Sequence, residues 1–464
     1  MMTDKETIAA ISTPPGQGGI GIVRLSGKNA LDILLAVYRT ASGVRIDKMA
    51  THTLRHGTII DPRTSRHIDE VLVSYMAGPR TYTKEDVVEI NCHGGAAPLA
   101  ETLSVVVEQG ARLAEPGEFT KRAFVNGRID LAQAEAVIDI IRAKSEKSML
   151  VALRQLEGGL SQEINDIREH AKGVSAQLEA SVDFSDEGVS PWSRKEIILK
   201  ISGIIHSTSR LLETAGPGVY IKEGIKIAIV GKPNVGKSSI MNAITKKDRS
   251  IVTPIPGTTR DVIEEPISFR GFPLLIADTA GIRETKRKVE KLGVERSKRS
   301  IKDADIVLCI LDATGPLSKE DRILLKQARA KPFLVAINKC DLPSSLTEDD
   351  VISVLGDDVA LIMRVSAKKS TGIDELLSAM VDSVSSGDTI VTHDNIITNL
   401  RHKDALERTL LSLSRAGESL TAGLSEEFAA SDIREALSSM GEIVGETVSD
   451  DILDKIFSQF CIGK

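Results

Sequence analysis

The segment from Gly231 to Ser238 constrains the fold more than any other part of the chain. It has the sequence Gly-Lys-Pro-Asn-Val-Gly-Lys-Ser and directly follows the apolar run Ile225–Val230. This spacing is typical of a P-loop, in which backbone N–H groups surround phosphate, Lys237 reaches the β- and γ-phosphates, and the Ser238 hydroxyl binds Mg²⁺. A strand followed by such a loop predicts an α/β domain with a parallel sheet.

A second motif on the phosphate side, Asp-Thr-Ala-Gly at 278–281, closes the next predicted strand. It would place the Asp278 carboxylate near Mg²⁺ and the Gly281 N–H near the γ-phosphate. Between the two motifs, Thr258 and Thr259 can supply a second hydroxyl ligand to Mg²⁺.

Two further motifs predict the identity of the base. Asn-Lys-Cys-Asp at 338–341 follows the predicted strand Phe333–Ile337, and Ser-Ala-Lys at 366–368 follows another apolar run. The Asp341 carboxylate can accept hydrogen bonds from N1–H and the 2-amino group of guanine, which adenine does not present. Because an unpaired buried carboxylate is costly, this favours GTP over ATP. The motifs together imply a guanine-nucleotide-binding domain.

The residue after the Asp-Thr-Ala-Gly motif raises a question about hydrolysis. It is Ile282, whereas Ras-like proteins have a water-orienting glutamine there. Glu290 is a candidate replacement, although beside Lys288 and Lys291 it fits a solvated helix better when the residues alone are considered. No arginine finger is evident in the sequence, and a monovalent cation on the Asn234 side-chain oxygen could supply that charge.

The pattern of apolar residues changes along the chain and predicts three domains. A length of 464 residues agrees with this number at about 150 residues per domain. Residues 1–120 contain short apolar runs between Gly and Pro, typical of an α+β domain. Helical patterning follows, gives way to alternating strands and helices from 225 to about 384, and returns after 394. The simplest arrangement is an α/β domain inserted into one helical domain whose halves meet in space.

Apolar residues recur at steps of three and four in the first helical region and predict one long helix with a buried stripe. They are Leu153, Leu156, Leu160, Ile164, Ile167, Ala171, Val174, Leu178 and Val182.

Composition excludes several classes of protein. With 59 basic and 65 acidic residues the net charge is −6, and aromatic residues are 3% of the chain. These values argue against a bulk nucleic-acid binder and against a broad base-stacking platform. No apolar window is long enough for a membrane span, and the four cysteines form no Cys-x-x-Cys pair. We expect a cytoplasmic protein without membrane contact.

Two short segments outside the nucleotide motifs call for interpretation. Gly16–Gly21 matches Gly-x-Gly-x-x-Gly, but the strand-like residues that follow argue against a dinucleotide site, which needs a helix there. The last four residues, Cys461 to Lys464, place a thiol and an ammonium at the end of the chain. A ligand-contacting tail and a frayed terminus both remain open from the residues alone.

Several segments together resemble the MnmE/TrmE family of tRNA modification GTPases. The matching segments are Thr13–Ile22, Pro116–Thr120, Asn126–Ala136 and Phe460–Lys464, in addition to the GTPase motifs. The resemblance implies a multidomain fold with an α+β N-terminal domain, an all-helical central domain and an inserted Ras-like α/β P-loop GTPase domain. The implied boundaries are 1–123 for a folate-binding and dimerisation domain, 124–217 and 385–464 for the two helical parts, and 218–384 for the G domain.

The resemblance also implies a reaction and partners. Members work as homodimers with a flavin-dependent partner, MnmG/GidA, in a heterotetramer, so FAD would enter only through that partner. Together they add an aminomethyl or carboxymethylaminomethyl group at carbon 5 of the wobble uridine in certain tRNAs. The one-carbon unit would come from a 5-formyl- or methylene-tetrahydrofolate. The implied folate contacts are Arg24, Glu85, Arg128 and Lys464, and Cys461 is the implied catalytic cysteine.

In the G domain the resemblance implies dimerisation that depends on K⁺, which would act where other GTPases place an arginine finger. Glu290 matches the water-orienting glutamate of the family, and Ser238 and Thr259 would bind Mg²⁺. The implied K⁺ ligands are Asn234, Thr253, Ile255 and Thr258. The predicted GTP-binding residues are Asn234, Val235, Gly236, Lys237, Ser238, Ser239, Thr253, Pro254, Ile255, Pro256, Gly257, Thr258, Thr259, Asp278, Thr279, Ala280, Gly281, Asn338, Lys339, Asp341, Ser366, Ala367 and Lys368.

Two other functions compete with this interpretation. The first is a ribosome-assembly GTPase that binds RNA and modifies nothing, although such a factor would be expected to carry a basic RNA-binding domain. The second is a folate enzyme with a passive nucleotide domain, which the full set of hydrolytic motifs disfavours.

Overall fold

The computed structural model describes residues 6–183, 192–247, 267–277, 301–356, 361–385 and 395–464. Within these ranges, residues 6–138 and 441–464 form one compact unit, and the described residues between 139 and 440 form a second. The predicted domain boundaries near 123, 217 and 384 stay predictions.

The strands and helices of the described part of the chain have the following bounds. The strands are β1 (Ile8–Ile11), β2 (Ile20–Ser26), β3 (Tyr38–Thr40), β4 (Thr53–Ile60), β5 (His67–Met76), β6 (Val87–His93), β7 (Arg112–Leu113), β8 (Ile225–Val230), β9 (Ile267–Phe269), β10 (Phe272–Ala277), β11 (Ile306–Asp312), β12 (Phe333–Asn338) and β13 (Leu361–Arg364). The helices are α1 (Ala30–Val37), α2 (Ala96–Glu108), α3 (Glu118–Val125), α4 (Leu131–Arg142), α5 (Glu146–Leu156), α6 (Gly159–Asp183), α7 (Arg194–Glu213), α8 (Ala215–Glu223), α9 (Lys237–Lys247), α10 (Lys319–Ala328), α11 (Glu348–Leu355), α12 (Ile373–Ser385), α13 (Leu400–Thr421), α14 (Glu426–Val444) and α15 (Asp450–Phe457).

The first unit is built on a seven-stranded sheet in the order β3-β4-β5-β6-β2-β1-β7. Neighbouring strands are antiparallel except for the pair β1 and β7. Alternate residues of each strand face the core, as Val88, Ile90 and Cys92 do on β6, and α1 and α2 pack on that side. The predicted α+β character is confirmed, and a strand rather than a helix follows Gly19, in agreement with the rejection of a dinucleotide site.

Residues from the end of the chain complete the core of the first unit. Leu131 packs with Leu453, Phe457 and Phe460 in one apolar cluster, to which Phe124 adds its ring. The Phe457 ring lies with its centroid 6.4 Å from that of Phe124 and 5.6 Å from that of Phe460. The last helix and the tail are therefore structural parts of the N-terminal unit.

The second unit contains a six-stranded sheet in the order β13-β12-β11-β8-β10-β9, parallel except for the β9–β10 pair. Helices cover both faces, so β8 and β11 are buried on both sides and consist almost wholly of apolar residues. The P-loop α/β architecture predicted from the sequence is confirmed. The carboxyl ends of β8, β11, β12 and β13 meet at one edge, where ligands bind in open parallel sheets.

The helical part of the second unit differs from the predicted single long helix. Helix α5 ends at Leu156 and α6 begins at Gly159. Gly158, with φ at 92°, adopts the left-handed conformation that ends helices, so the prediction of one helix is wrong. The buried stripe from Leu160 to Leu178 is confirmed, whereas Leu153 is 40% exposed.

The chain leaves and re-enters the helical region at neighbouring points. The Gln155 side-chain amide donates to the Ile396 carbonyl oxygen at 2.8 Å, and the Ile397 N–H donates to the Thr214 hydroxyl at 3.0 Å. Among the described helices, none combines the length and the apolar character that crossing a membrane requires.

Candidate active site

The P-loop connects the end of β8 to the start of α9. Asn234 has φ at 67°, and Gly236 has φ at 98° with no room for a side chain, because a Cβ would overlap the Asn338 amide nitrogen. The Lys237 ammonium donates to the Gly231 and Lys232 carbonyl oxygens, each at 2.8 Å. The lysine is thus folded back over the loop, where phosphate oxygens would compete for the same ammonium.

Asn338 connects the phosphate side of the site to the base side. It is 2% exposed, and its amide nitrogen donates to the Val235 carbonyl oxygen at 2.9 Å. Its amide oxygen accepts a hydrogen bond from the Ala367 N–H at 3.1 Å. One buried side chain therefore fixes the distance between the P-loop and the loop at 366–368.

The Asp341 carboxylate is oriented by the next loop. The Ser366 hydroxyl donates to Oδ1 of Asp341 at 2.7 Å and accepts from the Lys369 N–H at 3.2 Å. The hydrogen bond from Ser366 lowers the pKa of Asp341, with the charges of Lys368 and Lys369 adding to the effect. The carboxylate is therefore ionised at neutral pH, as acceptance of two guanine N–H groups requires.

We expect Ser366→Ala to weaken GDP binding on the order of tenfold, the effect of one lost hydrogen bond to a charged acceptor. GDP binds the ionised carboxylate, so its affinity decreases as the pH drops through the pKa of Asp341. Because Ser366→Ala removes the hydrogen bond that lowers this pKa, the affinity of the variant should decrease at a higher pH than that of wild type. Titration with a fluorescent GDP analogue at pH 7 and pH 4 measures both effects, because the ordinary Asp pKa of 3.8 lies close to the lower pH. Ser353→Ala is the control, because among the described residues its hydroxyl donates to the Asp350 carbonyl oxygen on α11, away from Asp341. Equal pH profiles for Ser366→Ala and this control would contradict the prediction.

Several predicted residues of this site lie outside the described residues. They are Thr253, Pro254, Ile255, Pro256, Gly257, Thr258, Thr259, Asp278, Thr279, Ala280, Gly281 and Glu290. Of the predicted Mg²⁺ and K⁺ ligands, Ser238 and Asn234 are described, and Ser238 lies in the first turn of α9. No group of three or more His, Cys, Asp or Glu side chains in the described ranges is arranged to hold a metal ion.

The first unit brings a second set of predicted residues to the tail. Arg24 Nε donates to Glu89 Oε1 at 2.9 Å, and Arg24 Nη1 donates to the Gly463 carbonyl oxygen at 3.4 Å. The guanidinium carbon lies 5.8 Å from the centroid of the buried Phe119 ring. The Phe119 N–H in turn donates to the Lys464 backbone oxygen at 3.2 Å. Arg24 therefore lies beside the Phe119 ring, and the backbone of Lys464 contacts the backbone of the same residue.

Glu85 lies in the loop before β6, and Arg128 lies in the loop after α3. Glu85 Oε2 accepts from the Ser26 hydroxyl at 2.7 Å and from Arg122 Nη1 at 3.0 Å. The Arg128 guanidinium stacks on Tyr82, 4.8 Å from the ring centroid, and donates to its carbonyl oxygen at 3.2 Å. The Tyr82 hydroxyl is hydrogen-bonded to Thr120 of α3. Through Phe119, Thr120 and Arg122, helix α3 therefore contacts each of the four predicted folate residues or a residue packed against it.

The tail is fixed in place, so the structure does not show a frayed terminus. Ile462 forms an antiparallel bridge with Pro116, and the Gly117 N–H donates to the Cys461 carbonyl oxygen at 3.4 Å. Gly463 has φ at 91°, and a Cβ there would overlap the Ile11 carbonyl oxygen. The Cys461 side chain is exposed. The tail thus presents its thiol to solvent from a fixed backbone.

A buried charged network on α3 was missed by the sequence analysis. Glu118, 7% exposed, accepts from Arg112 at 2.7 Å and from Arg122, 8% exposed, at 2.9 Å. Burial acts to raise the pKa of Glu118, but the hydrogen bonds from Arg112, the Glu115 N–H and Arg122 outweigh it, and the pKa is lowered. The only sequence signal for this network was the high density of charged residues in the segment 112–122, which does not indicate which of them form ion pairs.

We expect Glu118→Gln to lower the free energy of unfolding at neutral pH by about 2–4 kcal/mol, because the buried Arg122 and the partly exposed Arg112 lose the carboxylate that they share. Since the folded-state pKa of Glu118 is lowered, its stabilisation is present above pH about 4.5 and is lost as pH falls through the folded-state pKa. The difference between wild type and variant should therefore shrink in acid. Urea unfolding at pH 7 and pH 4 measures it, and a difference that grows in acid would contradict the assignment.

Comparison with known proteins supports an assignment over the whole chain. A family model described as the MnmE helical domain matches residues 131–461, and one described as the GTP-binding protein TrmE N-terminus matches residues 7–128. Proteins named tRNA modification GTPase MnmE are 46% identical over 459 residues in Alkaliphilus metalliredigens and 47% identical over 465 residues in Heliobacterium modesticaldum. Each comparison covers 99% of this chain and 99% of the relative.

Solved structures match part of the chain. The G domain of FeoB from Methanococcus jannaschii aligns with 34% of this chain and 97% of its own length, at 27% identity and a TM-score of 0.26. An Aquifex aeolicus Era structure bound to GDP and AlF4⁻ aligns with 40% of this chain and 66% of its own length, at 30% identity and a TM-score of 0.26.

Proposed function

The chain belongs to the MnmE family of tRNA modification GTPases, and we propose that it couples GTP hydrolysis to modification of carbon 5 of the wobble uridine in tRNA. The observation that supports the nucleotide assignment is the pair of hydrogen bonds Val235–Asn338–Ala367, which joins the P-loop to the loop whose Ser366 orients the Asp341 carboxylate. Two loops joined in this way match a ligand with phosphate at one end and guanine at the other.

The P-loop side suits Mg²⁺ and a monovalent cation. Ser238 and Thr259 would hold Mg²⁺, whose charge would offset that of the β- and γ-phosphates during hydrolysis. Asn234 supports the K⁺ proposal because its left-handed backbone is fixed within the loop, and its amide can supply a neutral oxygen. Thr253, Ile255 and Thr258 would complete the K⁺ ligands. Glu290 would orient the attacking water.

The first unit suits a reduced folate as the one-carbon donor. Arg24, Arg128 and Lys464 supply positive charge for the glutamate carboxylates of a folate, and Glu85 can accept hydrogen bonds from the pterin ring. Phe119 and Tyr82, each beside one of the arginines, provide aromatic faces. The exposed Cys461 thiol lies on the same tail as Lys464, and we assign it a role in the modification chemistry.

The remaining parts of the proposal concern assembly. We infer a homodimer formed through residues 1–123 and a heterotetramer with a flavin-dependent MnmG/GidA-type protein, which would bring FAD. The G domain would be the insertion at 218–384 between helical segments 124–217 and 385–464. The tRNA substrate is supported by the names of the relatives, and we place the reaction in the cytoplasm.

Mass spectrometry of tRNA nucleosides tests the proposal. Cells lacking the protein should lose a carbon-5 aminomethyl-type wobble uridine, and the intact gene should restore it. A gene encoding Lys237→Met should not restore it, because the phosphate-binding ammonium is gone. An unchanged nucleoside profile in the deletion strain would overturn the modification function and favour a ribosome-assembly GTPase.

A further inference from the structure

A segment outside the GTPase motifs contacts both sides of the candidate nucleotide site. This bridging segment, residues 312–321, begins with the last residue of β11 and ends in the first turn of α10. A carboxylate at each end binds a lysine of a different motif. The first lysine belongs to the P-loop and the second to the base-binding motif.

At one end, Asp321 binds Lys232, the second residue of the P-loop. Lys232 Nζ lies 2.7 Å from Asp321 Oδ2, which also accepts from the N–H and hydroxyl of Ser318 at the N-terminus of α10. Asp321 is 3% exposed, and its other oxygen has no hydrogen-bonding partner among the described residues. Lys232 is therefore the cation that compensates a buried carboxylate, so loss of either residue leaves the other unbalanced.

At the other end, Asp312 binds Lys339, which follows the buried Asn338. Lys339 Nζ lies 2.6 Å from Asp312 Oδ2, and Asp312 Oδ1 accepts from the Thr314 hydroxyl at 2.7 Å and the Thr314 N–H at 3.0 Å. Partial burial acts to raise the pKa of Asp312, but the hydrogen bonds from Lys339 and Thr314 outweigh it and lower the pKa. Lys339 has φ at 69°, a conformation that needs support in a residue of this type.

A small cavity of about 130 Å³ adjoins both ion pairs. It is lined by both members of the first pair, Lys232 and Asp321, and by Asp312 of the second pair with its partner Thr314. The pairs are therefore close to each other as well as belonging to one segment. A shift of the bridging segment would move the P-loop and the base-binding loop together.

We propose that Asp312 and Asp321 are positioning residues that hold the base-binding loop and the P-loop at the separation a guanine nucleotide requires. The proposal rests on the proposed function, since it assumes that the nucleotide contacts both loops. Asn338 joins the loops at one point, and the bridging segment joins them at a second. A ligand that contacts both loops binds more tightly when their separation is fixed beforehand, because less ordering accompanies binding.

The rate of GDP release tests the proposal in the full-length protein. We expect Lys232→Met and Asp321→Asn each to release a fluorescent GDP analogue on the order of tenfold faster than wild type, about the effect of one lost charged hydrogen bond. The double variant should release it no faster than the more affected single variant, because both changes break one pair. Asp312→Asn should also accelerate release. A dissociation rate reports on folded, loaded protein, so a purely structural role would leave it unchanged.

Asp350→Asn is the matched control. Asp350 accepts from the Thr347 N–H and hydroxyl at the start of α11, as Asp321 does from Ser318 at the start of α10. This variant should release GDP at the wild-type rate. If Asp321→Asn fails to fold, Lys232→Met decides the matter, since a quarter of the Lys232 side chain is exposed and its methylene stem is kept.

The possible outcomes separate two proposals. Absence of GDP binding by wild-type protein would overturn the nucleotide site itself. Tight binding by wild type with unchanged release from Lys232→Met and Asp312→Asn would leave the site intact and overturn the positioning role. Faster release from Asp350→Asn as well would also overturn it, because the effect would then follow from helix capping in general.

Discussion

We expect Asp341→Asn to bind GDP on the order of a thousandfold more weakly than wild type and to bind xanthosine diphosphate in its place. The wild-type carboxylate can accept from both N1–H and the 2-amino group of guanine. A carboxamide offers one acceptor and one donor, so it opposes the 2-amino group with another donor. Xanthine has a carbonyl oxygen at that position, which the carboxamide can satisfy. Competition between the two diphosphates in equilibrium titration measures the exchange of specificity.

The hydrogen bond between Ser366 and Asp341 allows the Asp341→Asn variant to keep the orientation of its side chain. The Ser366 hydroxyl can rotate to serve either an oxygen or a nitrogen, so the substituted side chain can keep its orientation. Asp349→Asn, on an exposed position of α11, is a control that should leave both affinities unchanged. Loss of GDP binding without any gain of xanthosine diphosphate binding would indicate a damaged loop and would contradict direct recognition of the base by Asp341.

The second large effect should come from the cation. GTP turnover in KCl is expected to exceed turnover in NaCl at equal ionic strength by on the order of a hundredfold, because a charge in the position of an arginine finger accelerates hydrolysis by about 10³ to 10⁵. Asn234→Gly should lose most of this response. Glycine adopts the positive φ of residue 234 without strain, so the variant removes the amide oxygen and keeps the backbone.

Two further measurements separate the effect of the cation on hydrolysis from other effects of the salt. GDP affinity measured in both salts separates an effect on hydrolysis from an effect on nucleotide binding. Protein concentration should be varied as well, because the expected pairing of two G domains would make the rate per molecule rise with concentration. Equal turnover in the two salts would contradict the cation proposal and leave Mg²⁺ and Lys237 as the charges at the phosphates.

The sequence predicted the parallel sheet of the P-loop domain well because the signals for its strands are local. Strands such as Ile225–Val230 are buried on both faces, so they are continuous apolar runs, and each motif directly follows one. The break between α5 and α6 was also signalled locally, by the glycine at 158, but the apolar period continued across it. Period alone therefore predicted one helix where the backbone forms two.

The pairings between distant residues could not be predicted in the same way. Lys232 and Asp321, or Arg122 and Glu85, belong to segments far apart in the chain, and each is one of many charged residues with no pattern that selects a partner. The position of the tail was hidden for the same reason. Its contacts with Ile11, Pro116 and Arg24 join residues that are far apart in the sequence, and no periodic pattern in the sequence predicts such contacts.

The joining of residues 441–464 to residues 6–138 has a consequence for how the protein is made. A ribosome produces the seven-stranded sheet before the second unit, but Phe457, Phe460 and the bridge at Ile462 only after it. The core of the first unit is therefore completed only after the second unit has been synthesised, and Leu131 and Phe124 lack their apolar partners until then. Truncation of the chain before Phe457 would damage the core of the first unit rather than that of the second.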